Sequence, residues 1–354
     1  MTERKKTLVV GPDLRGMGGI SRVSRVLSDS GIFKELNIIY INSATDEEVN
    51  QLLFFIRNFL KYLRLIGAGV RIVYVHVSSG RSFYRKSCFL LPAIIFRRKV
   101  VLHIHPTHFY DFLLSLSGLR KRFALFILRS VGAFVVLTED MRSRISGMFP
   151  GKPVYVLRNP IDPELYEKPG NFSRQSKRLL YLGWFVRDKG VYDLVDAAEI
   201  LDSSGIDFEL YFHGRRGKDE LAEYVQKKNL DERVHVEGWL QHDEKVKTLY
   251  QSGMLILPSY SEGIPNVILE AMVTGTPILS TAEGGLSEVL TDDHNALITE
   301  AGNPLKLSSD IMRMIEDDSL RQRLTDNARR EVREKYDVRT VRESFRDIIG
   351  SVAE

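Results

Sequence analysis

The sequence predicts an α/β protein built from two doubly wound domains. Short apolar runs typical of buried strands alternate with longer helical patterns in both halves, which indicates βαβ units around parallel sheets. The length of 354 residues suits two domains of ordinary size. Pro163–Ser176 is rich in turn residues and predicts an interdomain linker. We therefore expect domains over residues 1–165 and 175–337, followed by a last helix over about 338–354.

In the first half, six short runs of apolar residues predict strands. They are Thr7–Gly11, Ile38–Ile41, Val70–Val77, Val100–His105, Phe134–Leu137 and Val154–Leu157. The intervening segments carry helical spacing of apolar residues and predict helices. These are Ile20 to about Leu27, Glu47–Gly67, Ser82–Phe96, Arg120 to near Arg129, and a helix after Thr138-Glu139 that extends to Met148.

The second half shows the same alternation. Its predicted strands are Arg178–Leu182, Glu209–His213, Val234–Glu237, Leu255–Leu257 and Ile278–Ser280. Its predicted helices are Val191–Asp202, Val267–Thr274, Leu305–Lys335 and Val338–Val352. Gly275 is expected to end the helix before it, because glycine readily adopts the left-handed conformation of a helix C-terminus.

The stretch Pro258–Leu290 carries the strongest functional pattern. Glu262 lies on a loop after a predicted strand, and Glu270 lies one turn inside the helix that Pro265 and Asn266 open. Ligands of parallel sheets bind beyond the carboxyl ends of the strands, and helix starts favour anions. The loop therefore predicts a site for a phosphorylated ligand. Gly263 allows the backbone to come close, and the candidate amide donors are those of Ile264, Asn266 and Val267.

The spacing of Glu262 and Glu270 resembles the E-x7-E motif of retaining glycosyltransferase family 4. SEGIPNVILEAM and GTPILSTAEGGLSEVL are similar to the sequences usual in that family. The resemblance implies the GT-B fold, in which two Rossmann-like domains face each other across a cleft and the final helix crosses back to the first domain. It implies transfer of a hexose from a UDP- or GDP-linked donor to a glycan or lipid-linked hydroxyl. By position, Glu262 would bind the donor sugar and Glu270 the ribose.

The same resemblance assigns the donor pyrophosphate to Lys189, in the segment GWFVRDKG. Trp184 stands where the family usually has arginine, which is a departure from its pattern. Arg187 is therefore a candidate for the second positive charge, and the alternative is a site with one cation. Lys189 and Glu262 are expected to act in catalysis as well as in binding, by stabilising the charge and the sugar during transfer.

Two further glycine-containing segments resemble donor-binding segments of the family. Gly18 and Gly19 follow the first strand and would face the donor, although the dinucleotide fingerprint G-x-G-x-x-G is absent. Gly238 and Trp239 correspond to a region near the nucleotide base. For Trp239 the alternative is an ordinary core aromatic, and for Gly18-Gly19 it is a simple tight turn.

Two histidines end the fourth predicted strand. His103 and His105 point to the same side of a strand, so a metal pair has to be considered, but no third ligand follows at a recognisable spacing. The family commonly has a histidine at the position of His105, beside the donor sugar, and His105 is therefore a candidate catalytic residue. Pro106 stands where many relatives have glycine. We expect no metal and no cofactor.

Charge is divided unevenly between the halves. Residues 1–170 contain 26 Lys+Arg and 13 Asp+Glu, a net +13, and the remainder contains 24 and 33, a net −9, which together give the chain's +4. Arg57, Lys61 and Arg64 share a face of an apolar helix, a pattern typical of membrane-surface elements. Lipid headgroups and nucleic acid both fit a basic surface, and a solvated surface is the alternative. We expect reversible contact with an anionic membrane and no nucleic acid.

Other features bear on location. The single cysteine, Cys88, excludes an internal disulfide and any cysteine-rich metal site. MTERKK runs into Thr7–Val10, which is too short for the core of a secretory signal, and no run of 18 apolar residues predicts a membrane span. The expected location is the cytoplasm, with a peripheral association at the cytoplasmic face of the membrane.

Two other classes of function remain open. A nucleotide-sugar 2-epimerase shares the fold and would release nucleotide without an acceptor. A noncatalytic nucleotide-sugar-binding protein would bind the donor without turnover. A dehydrogenase is disfavoured by the missing glycine fingerprint. The sequence does not define the sugar, the base, the acceptor or the oligomeric state.

Overall fold

The computed structural model describes residues 7–47, 49–105 and 109–354. The chain divides into two compact units, one formed by Met1–Ile161 with Tyr336–Glu354 and the other by Asp162–Lys335. The first unit ends a few residues before the expected boundary at 165. The second unit begins at Asp162, so the segment expected to be a free linker is part of that unit. Pro106 lies outside the described residues.

The first unit is built on a parallel sheet, which has six strands in the described part of the chain, in the order β2-β1-β3-β4-β5-β6. The strands are β1 (Thr7–Gly11), β2 (Ile38–Asn42), β3 (Ile72–Val77), β4 (Lys99–Ile104), β5 (Ala133–Val136) and β6 (Val154–Val156). The helices between them are α1 (Gly19–Asp29), α2 (Ile32–Glu35), α3 (Gln51–Gly67), α4 (Arg81–Ile95), α5 (Phe109–Ser115), α6 (Gly118–Ser130) and α7 (Glu139–Met148).

The second unit repeats this plan, with described strands in the order β12-β11-β10-β7-β8-β9. The strands are β7 (Gln175–Trp184), β8 (Glu209–Arg215), β9 (Val234–Glu237), β10 (Ser252–Leu257), β11 (Ile278–Ser280) and β12 (Leu297–Ile298). The helices are α8 (Val191–Ser203), α9 (Lys218–Lys227), α10 (His242–Gln251), α11 (Asn266–Thr274), α12 (Pro304–Glu316) and α13 (Asp318–Lys335). The last helix, α14 (Val338–Ala353), belongs to the first unit.

Strand order fixes where each sheet can bind a ligand. In the second unit the chain proceeds from β7 to β9 on one side and from β10 to β12 on the other, so the order reverses between β7 and β10. In the first unit it reverses between β1 and β3. Loops leaving two neighbouring strands at such a point turn to opposite faces and open a crevice at the carboxyl edge of the sheet.

Some element boundaries differ from the sequence prediction because of capping side chains. α3 begins at Gln51 rather than Glu47, because the Asn50 side chain accepts hydrogen bonds from the amides of Leu52 and Leu53. The single helix expected over 305–335 is two helices, because Asp317 accepts a hydrogen bond from Leu320 N and starts α13. Among the described residues, no helix combines the length and apolar character needed to cross a bilayer.

α14 is held on the first unit by an apolar face and by two ion pairs. Phe345 is buried, with its ring 5.5 Å from that of Tyr74 and 6.3 Å from that of Phe33. Arg342 Nη2 and Arg346 Nε each lie within 2.7 Å of a carboxylate oxygen of Glu35. The hydrogen bonds from Arg346 and then Arg342 lower the pKa of Glu35 from 4.5 to about 2.

This pairing predicts a defined acid sensitivity of the first unit. Because the folded pKa of Glu35 is depressed, its contribution to stability is present above pH 4.5 and is lost as the pH falls towards about 2. Denaturant unfolding should show wild-type protein more stable than Glu35→Gln at pH 6, with the difference shrinking below pH 4.5. Asp29→Asn, at an exposed position of α1, is the control. A Glu35→Gln difference that is the same at pH 6 and pH 3 would contradict the assignment.

Candidate active site

Two predicted site residues of the second unit are in direct contact. Lys189 Nζ lies 2.6 Å from Glu262 Oε1, and the Ser259 hydroxyl donates to the same oxygen at 3.0 Å. Lys189 lies in the loop that follows β7 and Glu262 in the loop that follows β10, the two strands at the reversal of strand order. Both side chains remain partly exposed, at 25% and 12%. The pair therefore borders a crevice that a ligand can enter.

A close backbone approach holds these two loops together. Gly190 has φ +67°, and a Cβ there would lie 2.1 Å from the carbonyl oxygen of Pro258. Both the positive φ and this approach require glycine. Tyr260 N donates to Asp188 O at 3.0 Å, and the Tyr260 hydroxyl donates to Asp193 at 2.9 Å. The position of Lys189 against Glu262 is thus fixed by the backbone.

Glu270 lies in a buried polar cluster that the sequence analysis did not anticipate. It is 1% exposed, and its Oε1 accepts from Lys245 Nζ at 2.7 Å and from the Tyr166 hydroxyl at 2.9 Å. Lys245 comes from α10, and Tyr166 comes from a 3₁₀ turn at Pro163–Tyr166. The segment interpreted as a linker therefore supplies a buried partner of the motif glutamate. No motif marked Lys245 in the sequence.

The helix that carries Glu270 starts as the sequence predicts. α11 begins at Asn266, with Pro265 at the N-cap position. Its first turn is fully described and contains no acidic side chain, so the positive end of the helix dipole is not neutralised from within the helix. The predicted amide donors lie at this end: Ile264 is buried, and Gly263, Asn266 and Val267 are half-buried.

Further cations lie at the carboxyl ends of β7 and β8. Arg187 is exposed, with its guanidinium 5.3 Å from the ring centre of Tyr192. Arg216 follows β8 and lies 5.8 Å from the ring of Trp184. Arg215 lies 5.8 Å from the ring of Trp239. Positive charge at this edge therefore comes from β8 as well as from the predicted loop after β7.

The segment expected near a nucleotide base lies at the same edge of the sheet. Gly238 and Trp239 directly follow β9, where Gly238 is exposed and Trp239 is half-buried. Both interpretations of Trp239, as a core aromatic and as a residue near a nucleotide base, are compatible with this partial exposure, and the second stays a prediction. Neighbouring His213, on β8, has its pKa lowered chiefly by burial.

In the first unit, Gly18 and Gly19 lie at the point where that sheet reverses its strand order. α1 begins at Gly19, with Gly18 in extended conformation at its N-cap, and both residues are exposed. A Cβ on Gly18 would meet no atom within 4 Å among the described residues. The opening at this helix start leaves space for a ligand, and the assignment of the two glycines to the donor stays a prediction.

His105 belongs to a cluster of three buried histidines. His105 Nε2 lies 2.8 Å from His76 Nδ1, and His103 Nδ1 lies 2.8 Å from the Tyr74 hydroxyl. Burial, followed by the positive charge of Lys86, lowers the pKa of His105 to about 3. Burial likewise lowers the pKa of His76 and His103. His105 is therefore a neutral imidazole at physiological pH.

Among the described residues, these three histidines form the group whose ligand atoms lie close enough together to hold a metal ion. One nitrogen of each of His76, His103 and His105 lies within 4.8 Å of the others. The third imidazole, His76, comes from the neighbouring strand, where it pairs in register with His103. A cation bound by all three imidazoles would have to replace the hydrogen bond between His76 and His105. The expectation that the protein needs no metal stays a prediction.

The fold can be compared with those of solved protein structures. The architecture aligns with HepE of Anabaena in complex with UDP and glucose, with a TM-score of 0.75 over 98% of this chain and 100% of that one, at 16% identity. Two parallel doubly wound sheets with interleaved helices confirm the predicted GT-B fold.

Sequence comparisons show what the second unit is similar to. Residues 163–331, slightly under half of the chain, match the model of glycosyl transferases group 1. An uncharacterized glycosyltransferase of Methanocaldococcus jannaschii is 27% identical over 67% of this chain and 65% of its own length. The poly(ribitol-phosphate) alpha-N-acetylglucosaminyltransferase of Staphylococcus aureus is 23% identical over 71% of this chain and 50% of its own. The chain thus spans about half to two thirds of these relatives.

Residues 163–331 are therefore similar to the glycosyl transferases group 1 family. The narrower assignment to family 4 stays a prediction from the E-x7-E spacing, and so do the roles of the individual site residues.

The buried Glu270–Lys245 pair generates a stability prediction. Removing one partner of a buried ion pair leaves an uncompensated charge and costs about 3–5 kcal/mol. Lys245→Met should fall at the low end of that range, because the Tyr166 hydroxyl still donates to Glu270. Urea unfolding of the full chain measures the loss, and Lys247→Met, exposed on the same helix, should change stability by less than about 0.5 kcal/mol.

Coupling between the two residues can be separated from packing by a double-mutant cycle. Lys245→Met combined with Glu270→Gln should lose less stability than the sum of the two single changes, because no buried charge remains. Strict additivity would show that the two side chains do not interact.

Proposed function

We propose that the chain is a retaining glycosyltransferase that moves a hexose from a nucleotide sugar to a hydroxyl group. The observation that carries this proposal is the 2.6 Å contact of Lys189 with Glu262 at the β7–β10 reversal. A ligand that contacts both side chains has to place a negative charge beside the ammonium group of Lys189. On neighbouring atoms it has to place hydroxyl groups beside the carboxylate of Glu262. The linkage between a sugar and a diphosphate has this character. The glycosyl transferases group 1 match supports the same activity.

The donor would lie along the carboxyl edge of the second unit's sheet. Glu262 would accept hydrogen bonds from the sugar, and Glu270 from the ribose. The diphosphate would be met by Lys189 and by the start of α11, with the other arginines at this edge adding positive charge. A UDP- or GDP-linked sugar fits these roles, and HepE in complex with UDP and glucose has the same fold, which supports UDP.

Retention is proposed from the resemblance to glycosyltransferase family 4, in which the leaving group departs from the face that the acceptor attacks. If both Glu262 and Glu270 bind the donor, neither is left as an enzymic nucleophile, and the departing diphosphate takes the proton itself. The bond between the anomeric carbon and the diphosphate oxygen breaks while the acceptor oxygen adds on the same face. The acceptor proton then passes to that diphosphate oxygen. Lys189 stabilises the charge that grows on the leaving group, and in many enzymes such electrostatic stabilisation accelerates the reaction more than any other single effect.

His105 is proposed to contact the donor sugar as a neutral hydrogen-bonding group. Its pKa of about 3 excludes a role as a cation at neutral pH. The positive charge that the reaction needs is therefore assigned to lysine and arginine. We accordingly expect turnover without an added divalent metal, which a chelator would test.

The acceptor is proposed to be a glycan or a lipid-linked hydroxyl at a membrane surface. α3 exposes four large apolar side chains, namely Leu52, Leu53, Ile56 and Leu60, which are 42–67% exposed. Its other apolar residues pack inward, with Phe55, Phe59 and Tyr62 each within 5.6 Å of the Phe89 ring. On α6, Leu119 and Phe126 are also exposed, at 81% and 54%.

Basic residues accompany this apolar surface. Arg57, Lys61 and Arg64 are exposed on α3, and the run Arg120–Arg122 lies on α6 beside Leu119. A helix that is apolar outward as well as inward, with basic residues interleaved, suits the interface of an anionic bilayer. We propose a cytoplasmic enzyme that contacts the membrane reversibly through the first unit.

Donor screening followed by nucleotide-release assays tests the function. A glycosyltransferase releases nucleoside diphosphate in proportion to glycosylated acceptor, whereas an epimerase releases free nucleotide and an epimer without acceptor. A binding protein is stabilised by the donor and shows no turnover with any acceptor. Either of the last two results would overturn the proposal.

Lys189→Ala should lower turnover by about 10²–10³-fold, the range for removing one group that stabilises transition-state charge. The matched control is Lys177→Ala, at the amino-terminal end of β7, where Lys177 pairs with the exposed Asp207. Nucleotide release under saturating donor measures the effect. Near-normal turnover would contradict this role of Lys189 and would indicate that Arg187, Arg215 or Arg216 binds the diphosphate.

The first unit should bind anionic vesicles in a salt-sensitive manner, because exposed charges are screened beyond about 8–10 Å. Each basic residue near an anionic surface contributes about 1 kcal/mol, so Arg57→Gln with Lys61→Gln should weaken binding by roughly 30-fold. Leu53→Ser with Leu60→Ser should weaken it too, whereas Leu305→Ser, exposed in the second unit, should not. Equal recovery with neutral and anionic vesicles in co-sedimentation would exclude the membrane role.

A further inference from the structure

The second unit has another cavity, at the opposite end of its sheet from the candidate active site. It measures about 380 Å³ and includes residues that precede or open strands, namely Arg174 and Ser176 at β7 and Pro277 before β11. The loops of Lys189 and Glu262 leave the carboxyl ends of the strands, whereas this cavity lies at the amino ends. α13 forms the remaining wall, through Arg321, Gln322, Thr325 and Arg329.

Three arginines converge on this cavity, and each is anchored on backbone carbonyls at a helix C-terminus. Arg174 Nη1 donates to Ser252 O at 2.5 Å and to Leu249 O at 3.2 Å, at the end of α10. Arg321 Nη1 donates to Met314 O and Ile315 O near the end of α12. Arg329 Nη2 donates to Thr274 O, at the end of α11, at 2.8 Å.

These anchors fix the guanidinium groups without neutralising them. Carbonyl oxygens accept hydrogen bonds but carry no full charge, so they do not neutralise Arg174 and Arg329, whereas Arg321 is also paired with a carboxylate. The acidic side chain in the cavity wall is Asp318, which pairs with Arg321 and is 92% exposed. Burial, together with the charges of Arg329 and Arg321, lowers the pKa of Arg174 to about 10. Arg329 and Arg321 therefore repel the guanidinium group of Arg174 in this structure.

Arg329 is held in place by a glycine. Gly275, which ends α11, has φ +65°, and a Cβ there would lie 2.1 Å from Arg329 Nε. The guanidinium thus lies flat against the bare backbone of the helix end. It also lines an adjoining cavity together with Arg330, Arg333 and Glu334. This basic surface stands out because residues 171–354 carry a net charge of −9.

We propose that this cavity binds a small phosphate-bearing molecule, at a site separate from the proposed donor site. Guanidinium forks match phosphate oxygens bidentately, and three of them converge here in fixed positions. Preorganised donors bind more tightly because less freedom is lost on binding. A cavity of about 380 Å³ lies within the range of small-ligand sites. A bound phosphate also relieves the repulsion of Arg174 by Arg329 and Arg321.

Calorimetry on the full chain with inorganic phosphate, pyrophosphate and a hexose phosphate tests the proposal and identifies the source of the phosphate. Because these ligands also suit the proposed donor site, the titrations use the Lys189→Ala background. Saturable binding should persist there. Arg174→Gln or Arg329→Gln should each weaken it by about 10–100-fold. Arg323→Gln is the control, since Arg323 lies on the same helix but pairs with Asp293 outside the cavity.

A second measurement keeps Arg174 and Arg329 in place, so it does not depend on whether the arginine variants fold. A saturating phosphate ligand should protect Arg174 and Arg329 of the Lys189→Ala chain from an arginine-specific dicarbonyl reagent, as mapped by mass spectrometry, and should leave Arg323 unprotected. Equal protection of all three arginines, or equal affinity in the Arg174→Gln, Arg329→Gln and Arg323→Gln proteins, would overturn the proposal.

Discussion

The close approach of Gly190 to the carbonyl of Pro258 is the constraint on which the candidate site depends. Strand order reverses between β7 and β10, so their following loops diverge to opposite faces of the sheet. Contact at the point of divergence holds Lys189 against Glu262 at 2.6 Å. Any side chain at position 190 would separate the loops, because its Cβ would overlap the carbonyl oxygen of Pro258. The glycine is therefore part of the site, although it contributes no functional group.

The buried charge of Glu270 has no clear benefit for stability. Glu270 is 1% exposed and depends on Lys245 and Tyr166 for compensation. Burying an ion pair rarely stabilises a fold relative to apolar residues of similar size. The position of Glu270 on α11, one turn behind the helix start, is consistent with a carboxylate that meets polar groups of a ligand. Ion-paired groups in clefts are accordingly candidate functional residues.

Local sequence signals predicted the described strands other than β12, the loops that leave them and the start of α11, because strand periodicity and helix-start residues act over a few neighbours. They did not reveal Lys245, Tyr166, Arg216 or His76. Each of these reaches its partner from another element, and tertiary folding alone brings them together. Tyr166 shows the reason well: Pro163–Ser176 has the composition of a linker, yet its tyrosine is buried against a helix about a hundred residues later in the chain.

The histidine cluster shows how the fold sets the protonation of a candidate catalytic group. His76 bridges His105 and the Ser24 hydroxyl, at 2.8 and 3.4 Å. Because both imidazoles are neutral, the proton positions are coupled: either His76 donates to His105, or His105 donates to His76 and His76 donates to Ser24. In the first case Nδ1 of His105 carries a proton and can donate to a ligand oxygen. In the second, Nδ1 can only accept. A ligand that requires a donor at His105 would thus select the tautomer of His76 and the orientation of the Ser24 hydroxyl together.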